Sequence, residues 1–366
     1  MKRILFLTNY ASPYRVNFFD ELGKSAEVTV LFTDRSEDIR HRDAKWFARG
    51  QGGFRAVNLK GICRVSDEQF CPGVCKWLNR SYDAIVVGGY ASPTVVLAML
   101  WMRLRGIPFY MEVDGGLIRQ ESKAKFLVKK TLVNMAKRWL STGSHTTEFL
   151  THYGAKEAQI QQYPFSSLYQ RDILTEVVSQ EEKQVLREQL GIPEKKVILS
   201  VGQFIHRKGF DVLMHAAKNL DPETGIYIVG GEATQEYCDL RDSLGLTNVH
   251  FWGFRPKDQL ALIYKAADLF VLPTREDIWG LVINEALAYG LPVITTDRCV
   301  AGLELVEDGV NGYLVPVDDP ETLGERIAAV LRSDMAKMGE ASLGKIRPYT
   351  LENMASTHMA IFQEQM

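Results

Sequence analysis

The sequence predicts an α/β protein of two domains, each a mostly parallel sheet with helices on both faces. Three observations carry this expectation. Short apolar runs alternate with helix-period segments along the whole chain. The runs fall into two series, separated by a polar and charged stretch at 166–194. A length of 366 residues exceeds what one typical core accommodates.

The first series runs through Arg3–Thr8, Val28–Phe32, Ala84–Val87, Pro108–Val113 and Trp139–Thr142. Its opening stretch, Met1 to Asn9, is too short for a signal peptide and lacks a small-residue cleavage site, so it reads as a first strand. The linker at 166–194 carries a helix around Gln180–Leu190. The second series runs through Val197–Val201, Ile226–Val229, Val249–Trp252, Leu269–Leu272, Pro292–Thr295 and Gly312–Val315. The expected domains are therefore 1–165 and 195–350, and the tail at 351–366 has helical spacing. Apolar residues at 46% and charged residues at 24% are ordinary for a globular protein. A net charge of -2 argues against a nucleic-acid binder. The five cysteines are odd in number and scattered. Cys71 and Cys75 lie one helical turn apart without a second ligand pair, so reduced thiols are expected rather than a zinc site. No run approaches a membrane span. A cytoplasmic location is the expectation.

The most informative stretch is Arg275 to Val293. An apolar strand, Leu269–Leu272, leads into a loop and then a helix that stops at Gly290, with Pro292 just beyond. Two carboxylates, Asp277 and Glu285, stand eight positions apart across this turn, one in the loop and one on the helix. The mouth of such a helix offers free backbone N–H groups and the positive end of the dipole, a site for phosphate. Carboxylates on either side can accept hydroxyl hydrogens. The arrangement suits a sugar nucleotide.

These residues resemble the signature of retaining glycosyltransferases of family four, which have the GT-B fold: an acidic pair with seven residues between, here Asp277-x7-Glu285. Ser200 to Gly209, Ile228 to Glu232, Val249 to Phe254 and Glu304 to Val315 resemble further landmarks of that family, in the same order. The resemblance is clearest over 195–335. It implies two Rossmann-like domains facing across a cleft, with the tail helix at 351–366 crossing back onto the first. It also implies a nucleotide-diphosphate sugar as donor and a glycan or lipid-linked acceptor; no cofactor is expected, and with no Asp-x-Asp motif in a metal-binding context no divalent metal is expected either.

Residue by residue, the resemblance assigns Glu285 to the ribose hydroxyls and Asp277 to the transferred sugar near the reacting carbon, with Glu276 as the fallback. Backbone N–H groups of Gly280, Leu281 and Val282 would hold the phosphates. In the first donor loop the family has an Arg and, five positions later, a Lys that grip the diphosphate. The Lys is Lys208; the Arg position is Gln203, which brings no charge, and Arg207 is the candidate to compensate. Trp279 stands where the family usually has Phe, and core packing and ligand contact both account for it. The positive charge a departing diphosphate needs is available from Lys208, Arg207 and the helix mouth.

In the first domain, Asp114 follows a strand, near where many relatives carry a His that positions the sugar. An Asp before two glycines is also ordinary turn chemistry. Tyr14 and Arg15 follow the first strand on the acceptor side, where Arg15 is a candidate for meeting an anionic acceptor. His41, His145, His152, His215, His250 and His358 show no ligand spacing and are assigned nothing. The segment 119–138 carries seven Lys or Arg against one Glu, with Val128, Leu132, Met135 and Trp139 at helical intervals and Lys123, Lys130 and Lys137 opposite. It reads either as a surface helix with a buried stripe or as a basic face for anionic lipid on the inner face of the cell membrane, each near-surface charge contributing about 1 kcal/mol. The expected activity is hexosyl transfer to a surface glycan or glycolipid. The alternatives are a sugar-nucleotide epimerase of the same fold and a sugar-nucleotide-binding protein without catalysis.

Overall fold

The computed structural model describes residues 1–34, 52–65 and 68–364. His41 lies outside them, as do the last two residues of the tail. The described residues form two compact units, Met1–Tyr169 with Tyr349–Met366, and Gln170–Pro348.

The first unit holds strands β1 (Lys2–Thr8), β2 (Ala26–Phe32), β3 (Arg55–Asn58), the hairpin β4 (Cys63–Val65) and β5 (Glu68–Phe70), then β6 (Ala84–Gly88), β7 (Tyr110–Val113), β8 (Arg138–Ser141) and β9 (Ile160–Gln162). Seven of these make one parallel sheet in the order β3-β2-β1-β6-β7-β8-β9. Central runs such as Leu5, Phe6 and Leu7 are buried on both faces, which is why they read as continuous apolar stretches. Helix Pro13–Gly23 buries Phe18, Phe19 and Leu22. The C-terminal helix Leu351–Gln363 packs beside it: Phe362 meets Phe6 and Tyr110, and His358 lies 4.8 Å from the Phe18 ring. A Thr350 cap fixes where that helix begins.

The second unit holds β10 (Lys196–Gly202), β11 (Thr224–Gly230), β12 (Val249–Trp252), β13 (Leu269–Leu272), β14 (Val293–Thr296) and β15 (Gly312–Val315), in the order β12-β11-β10-β13-β14-β15. This is the 3-2-1-4-5-6 order of a doubly wound sheet. Its switch point lies between β10 and β13, the place where such sheets bind ligands beyond the carboxyl ends of their strands. Helix Gln180–Leu190 belongs to this unit. Its Lys183 and Arg187 sit buried on Asp268, at 3.3 and 2.8 Å, and Ser179 caps its start.

Every strand expected from the two apolar series is present. Those beginning at Pro108 and Pro292 start later, at Tyr110 and Val293, because proline has no N–H to give a ladder. The edge strands β3 and β9 and the hairpin β4–β5 escape a hydropathy reading, being three or four residues long and largely polar. Leu281, Val282 and Leu287 read from the sequence as one apolar side of helix Leu281–Ala288; in the structure Ile283, Ala286 and Leu287 are buried, while Leu281 and Val282 are half-buried at the helix mouth.

Candidate functional site

Two loops meet at the switch point of the second unit. The first leaves β10 at Gly202, passes Gln203 and makes a short 3-10 turn at His206–Lys208 before helix Phe210–Ala217. Phe204 anchors it, packing edge-on against Phe210, Tyr237 and Phe251. Gly209 turns the chain at φ 68°, and a Cβ there would overlap the Pro273 carbonyl. The second loop leaves β13 and runs from Pro273 to Gly280. Thr274 Oγ1 donates to the Arg207 carbonyl, and the Arg275 N–H donates to the same oxygen, joining the two loops. Arg275 forks onto Asp211 at 2.6 and 2.9 Å and reaches Asp318 at 2.7 Å, which fixes the loop against helix Phe210–Ala217.

This bracing brings the predicted charges together. Lys208 Nζ lies 2.5 Å from Asp277 Oδ2, and Arg207 Nη1 lies 3.1 Å from Asp277 Oδ1. The Lys208 and Asp277 side chains are 12% and 13% exposed, whereas Arg207 is 46% exposed. Arg207 and Lys208 therefore reach the same carboxylate, although they are neighbours in sequence. Gln203 is exposed at the rim. Asp277, rather than Glu276, carries the carboxylate between these cations. Its backbone is clamped to the loop after β14 by hydrogen bonds to Arg298 and Val300.

Helix Leu281–Ala288 begins at Gly280, which takes φ 100° and has no side-chain cap. The N–H groups of Gly280, Leu281 and Val282 meet no backbone acceptor among the described residues. A Cβ at Gly280 would come within 2.8 Å of Cys299 Sγ, so both backbone freedom and space select glycine. Trp279 is 4% exposed and donates its indole N–H to Asn284 at 2.8 Å, which makes it a core residue supporting the turn. Cys299 lies beneath the loop, where burial, assisted by Asp277, pushes its thiol up to about 12 and leaves it unreactive.

Glu285 sits one turn into the helix. Burial pushes its carboxyl above the usual range, and a hydrogen bond from Tyr264 Oη at 3.0 Å opposes that rise. Tyr264 is 1% exposed and stacks face to face on Tyr289 with centroids 5.0 Å apart. It is the one side-chain hydrogen-bond partner of Glu285 among the described residues, and it takes one of the two carboxylate oxygens. Tyr264 lies 21 positions from Glu285, and neither spacing nor composition points to it.

The first unit places its candidates differently. Arg15 is 5% exposed, and its guanidinium is bound by Glu112 at 2.6 Å and Asp114 at 2.5 Å. Arg15 is the sequence's candidate for meeting an anionic acceptor; in the structure two carboxylates of this chain occupy its fork. Burial raises the Asp114 carboxyl; Arg15 pulls it down and Glu112 pushes it up again. Burial also raises Glu112, but Arg15 and His358 outweigh it and hold it down to about 2. Tyr14 is half-buried edge-on to Phe165, and burial raises its hydroxyl to about 12. His358, assigned nothing from the sequence, lies fully buried 3.5 Å from Glu112 Oε1.

The basic segment also departs from expectation. Helix Lys123–Val133 turns Phe126, Leu132 and Val133 inward, while Val128 is 58% and Leu127 63% exposed. Val128 therefore leaves the predicted core stripe and stands among exposed Lys123, Lys125 and Lys130. Among the described residues no helix is long and apolar enough to cross a membrane, and no three His, Cys, Asp or Glu cluster as metal ligands.

Residues 182–343 match a family model described as "Glycosyl transferases group 1". A D-inositol 3-phosphate glycosyltransferase of Corynebacterium aurimucosum is 30% identical over 264 residues, covering 66% of this chain and 62% of that protein. The corresponding enzyme of Corynebacterium efficiens is 32% identical over 193 residues, 49% of this chain and 45% of its own length. The chain thus spans about half to three-fifths of the length of these curated relatives. Among solved structures, sucrose-phosphate synthase from Thermosynechococcus elongatus aligns with a TM-score of 0.75 at 18% identity, covering 100% and 99% of the two chains. Anabaena HepE, solved in complex with UDP and glucose, aligns at 0.74 and 20%, covering 99% and 100%. At such identities the likeness concerns the fold. The chain carries a glycosyl transferases group 1 domain at 182–343, on an α/β fold with parallel sheets in two domains that matches GT-B glycosyltransferase structures.

Proposed function

We propose that this chain is a retaining hexosyltransferase that moves a hexose-type sugar from a nucleoside diphosphate to a glycan or lipid-linked acceptor in surface polysaccharide assembly. One observation carries the reading: Lys208 and Arg207 bracket Asp277 where helix Leu281–Ala288 opens, with the N–H groups of Gly280, Leu281 and Val282 meeting no backbone acceptor among the described residues and Glu285 bonded there through one carboxylate oxygen. Lys208 and the helix mouth take the diphosphate, Glu285 accepts from the ribose hydroxyls, and Asp277 accepts from the sugar. The cation-like sugar carbon then forms as its bond to phosphate breaks. The acceptor oxygen attacks from the same face, and its proton passes to the departing phosphate oxygen. The charge that this leaving group gains is matched by groups already in place, which is where such sites lower a barrier most. No divalent ion is needed in this scheme.

The HepE complex with UDP and glucose supports a UDP-sugar as the first donor to try. The exposed Leu127 and Val128 among lysines support a peripheral position on an anionic membrane surface, at the inner face of the cell membrane. The test is a thermal-shift panel of UDP-glucose, UDP-galactose, UDP-N-acetylglucosamine and GDP-mannose. The stabilising sugar, radiolabelled, is then offered with membrane extract, with and without EDTA. A stabilising donor, EDTA-insensitive transfer to lipid or glycan and a retained anomer in the product are expected. No stabilising donor, or isomerised donor without transfer, overturns the reading.

A further inference from the structure

The first unit contains a charged network that the donor chemistry above does not use. Arg15 joins Glu112 and Asp114, two residues apart on β7 and its following turn, hence on the same side. Glu112 in turn meets His358 of the C-terminal helix, Nε2 to Oε1, at 3.5 Å. Glu112 and His358 are 1% and 0% exposed. Asp114 differs: its side chain is 30% exposed, Oδ1 is held by Arg15, and Oδ2 has no partner among the described residues.

Hydrogen-bond chemistry fixes what His358 contributes. Its Nδ1 lies 2.8 Å from the Met354 carbonyl, which can only accept, so Nδ1 carries a proton. Its Nε2 lies beside Glu112 Oε1 at 3.5 Å, and neither atom has a hydrogen-bond partner among the described residues. Glu112 and Asp114 share the one guanidinium of Arg15, so the packing of His358 against Glu112 bears on how that guanidinium is divided between them. Around His358 the other neighbours are Tyr163, 4.5 Å between centroids, and the rings of Phe18 and Phe362.

We propose that His358, Glu112 and Arg15 are positioning residues that fix the orientation and charge of Asp114, so that the C-terminal helix is part of the reaction apparatus. This rests on the proposed transfer reaction, with Asp114 taking the sugar-positioning role that many relatives give to a His near that place. Arg15 presents one oxygen of Asp114 to the ligand, and His358, packed against Glu112, holds in place the carboxylate that shares Arg15 with it.

A double-mutant cycle tests the proposal. Asp114→Asn, His358→Gln and the pair are compared with the parent protein, using whichever sugar of the four-member panel stabilises the protein most. Nucleoside diphosphate release gives kcat and KM, and calorimetry gives the affinity for UDP or GDP. The expected result is a kcat loss of about tenfold for each single variant, KM within about twofold, and a pair no slower than Asp114→Asn alone, as for groups acting through one another. Multiplicative losses in the pair, or a His358→Gln protein that melts earlier but turns over normally, would overturn it. If His358→Gln fails to fold, Glu112→Gln replaces it in the same cycle. Normal turnover of Asp114→Asn removes Asp114 from the reaction and the proposal with it. Unchanged nucleotide affinity throughout leaves the donor site in the second unit standing.

Discussion

Glu285→Gln separates function from stability because the two should move in opposite directions. The carboxyl of Glu285 is raised by burial in the folded chain, so ionising it there costs free energy relative to the unfolded chain. A raised folded value means that its favourable contribution is complete at low pH and is lost as pH rises through that value. At neutral pH the charged group is thus a net burden. Gln removes the charge, and its carbonyl oxygen can still accept from Tyr264 Oη, now 3.0 Å from the carboxylate. The melting temperature of the free protein should hold or rise. Donor binding should weaken, because a carboxylate accepting ribose hydroxyls makes charged hydrogen bonds of about 1.5–3 kcal/mol. One such bond corresponds to roughly 10- to 150-fold in Kd. Calorimetry with the stabilising nucleotide sugar and a ligand-free melt read the two effects. For the parent protein, affinity should also decline on acidification, beginning above the usual glutamate range. Affinity within twofold of the parent, or a lower melting temperature with unchanged binding, would refute the assignment of Glu285 to the ligand.

Lys208→Met leaves Asp277 with the half-exposed Arg207 alone and removes a fixed charge from the diphosphate. Turnover should fall by about 10²–10³-fold, read as release of nucleoside diphosphate, and a loss under threefold would discount Lys208. Asp268→Asn leaves Lys183 and Arg187 buried without their counter-ion. Urea unfolding should show a loss of about 3–5 kcal/mol, with the second unit affected and the first spared. Leu127→Glu with Val128→Glu should abolish sedimentation with vesicles containing anionic lipid, while vesicles of neutral lipid stay unbound by either protein. Equal sedimentation of parent and variant would leave the helix Lys123–Val133 as an ordinary surface element.

Much of the fold was legible because parallel strands buried on both faces appear as uninterrupted apolar runs such as Ile198–Leu199 and Phe270–Leu272. Edge strands such as β3, Arg55–Asn58, carry no such signal, since only pairing with a neighbour makes them strands. The loops after β10 and β13 were legible through local grammar: an apolar strand, then a helix start, with Asp277 and Glu285 eight positions apart across the second turn. What spacing could not supply was partnership across long separations. Tyr264 reaches Glu285 from another helix, and Arg15 meets Glu112 and Asp114 across nearly 100 residues. An arginine beside a strand end looks alike in sequence whether it awaits a ligand or is already held by two acids. Val128 shows the same limit on a helix, since a stripe drawn through Leu132 and Met135 fits two neighbouring faces.

The most direct test of the account compares nucleoside diphosphates with monophosphates at fixed ionic strength. Titrating the protein with UDP against UMP, and GDP against GMP, isolates the second phosphate at the mouth of helix Leu281–Ala288. The account predicts that the diphosphate of one base binds at least about tenfold more tightly than its monophosphate, close to 1.4 kcal/mol, and that Lys208→Met erases most of the difference. Equal affinities for diphosphate and monophosphate with both bases would contradict it.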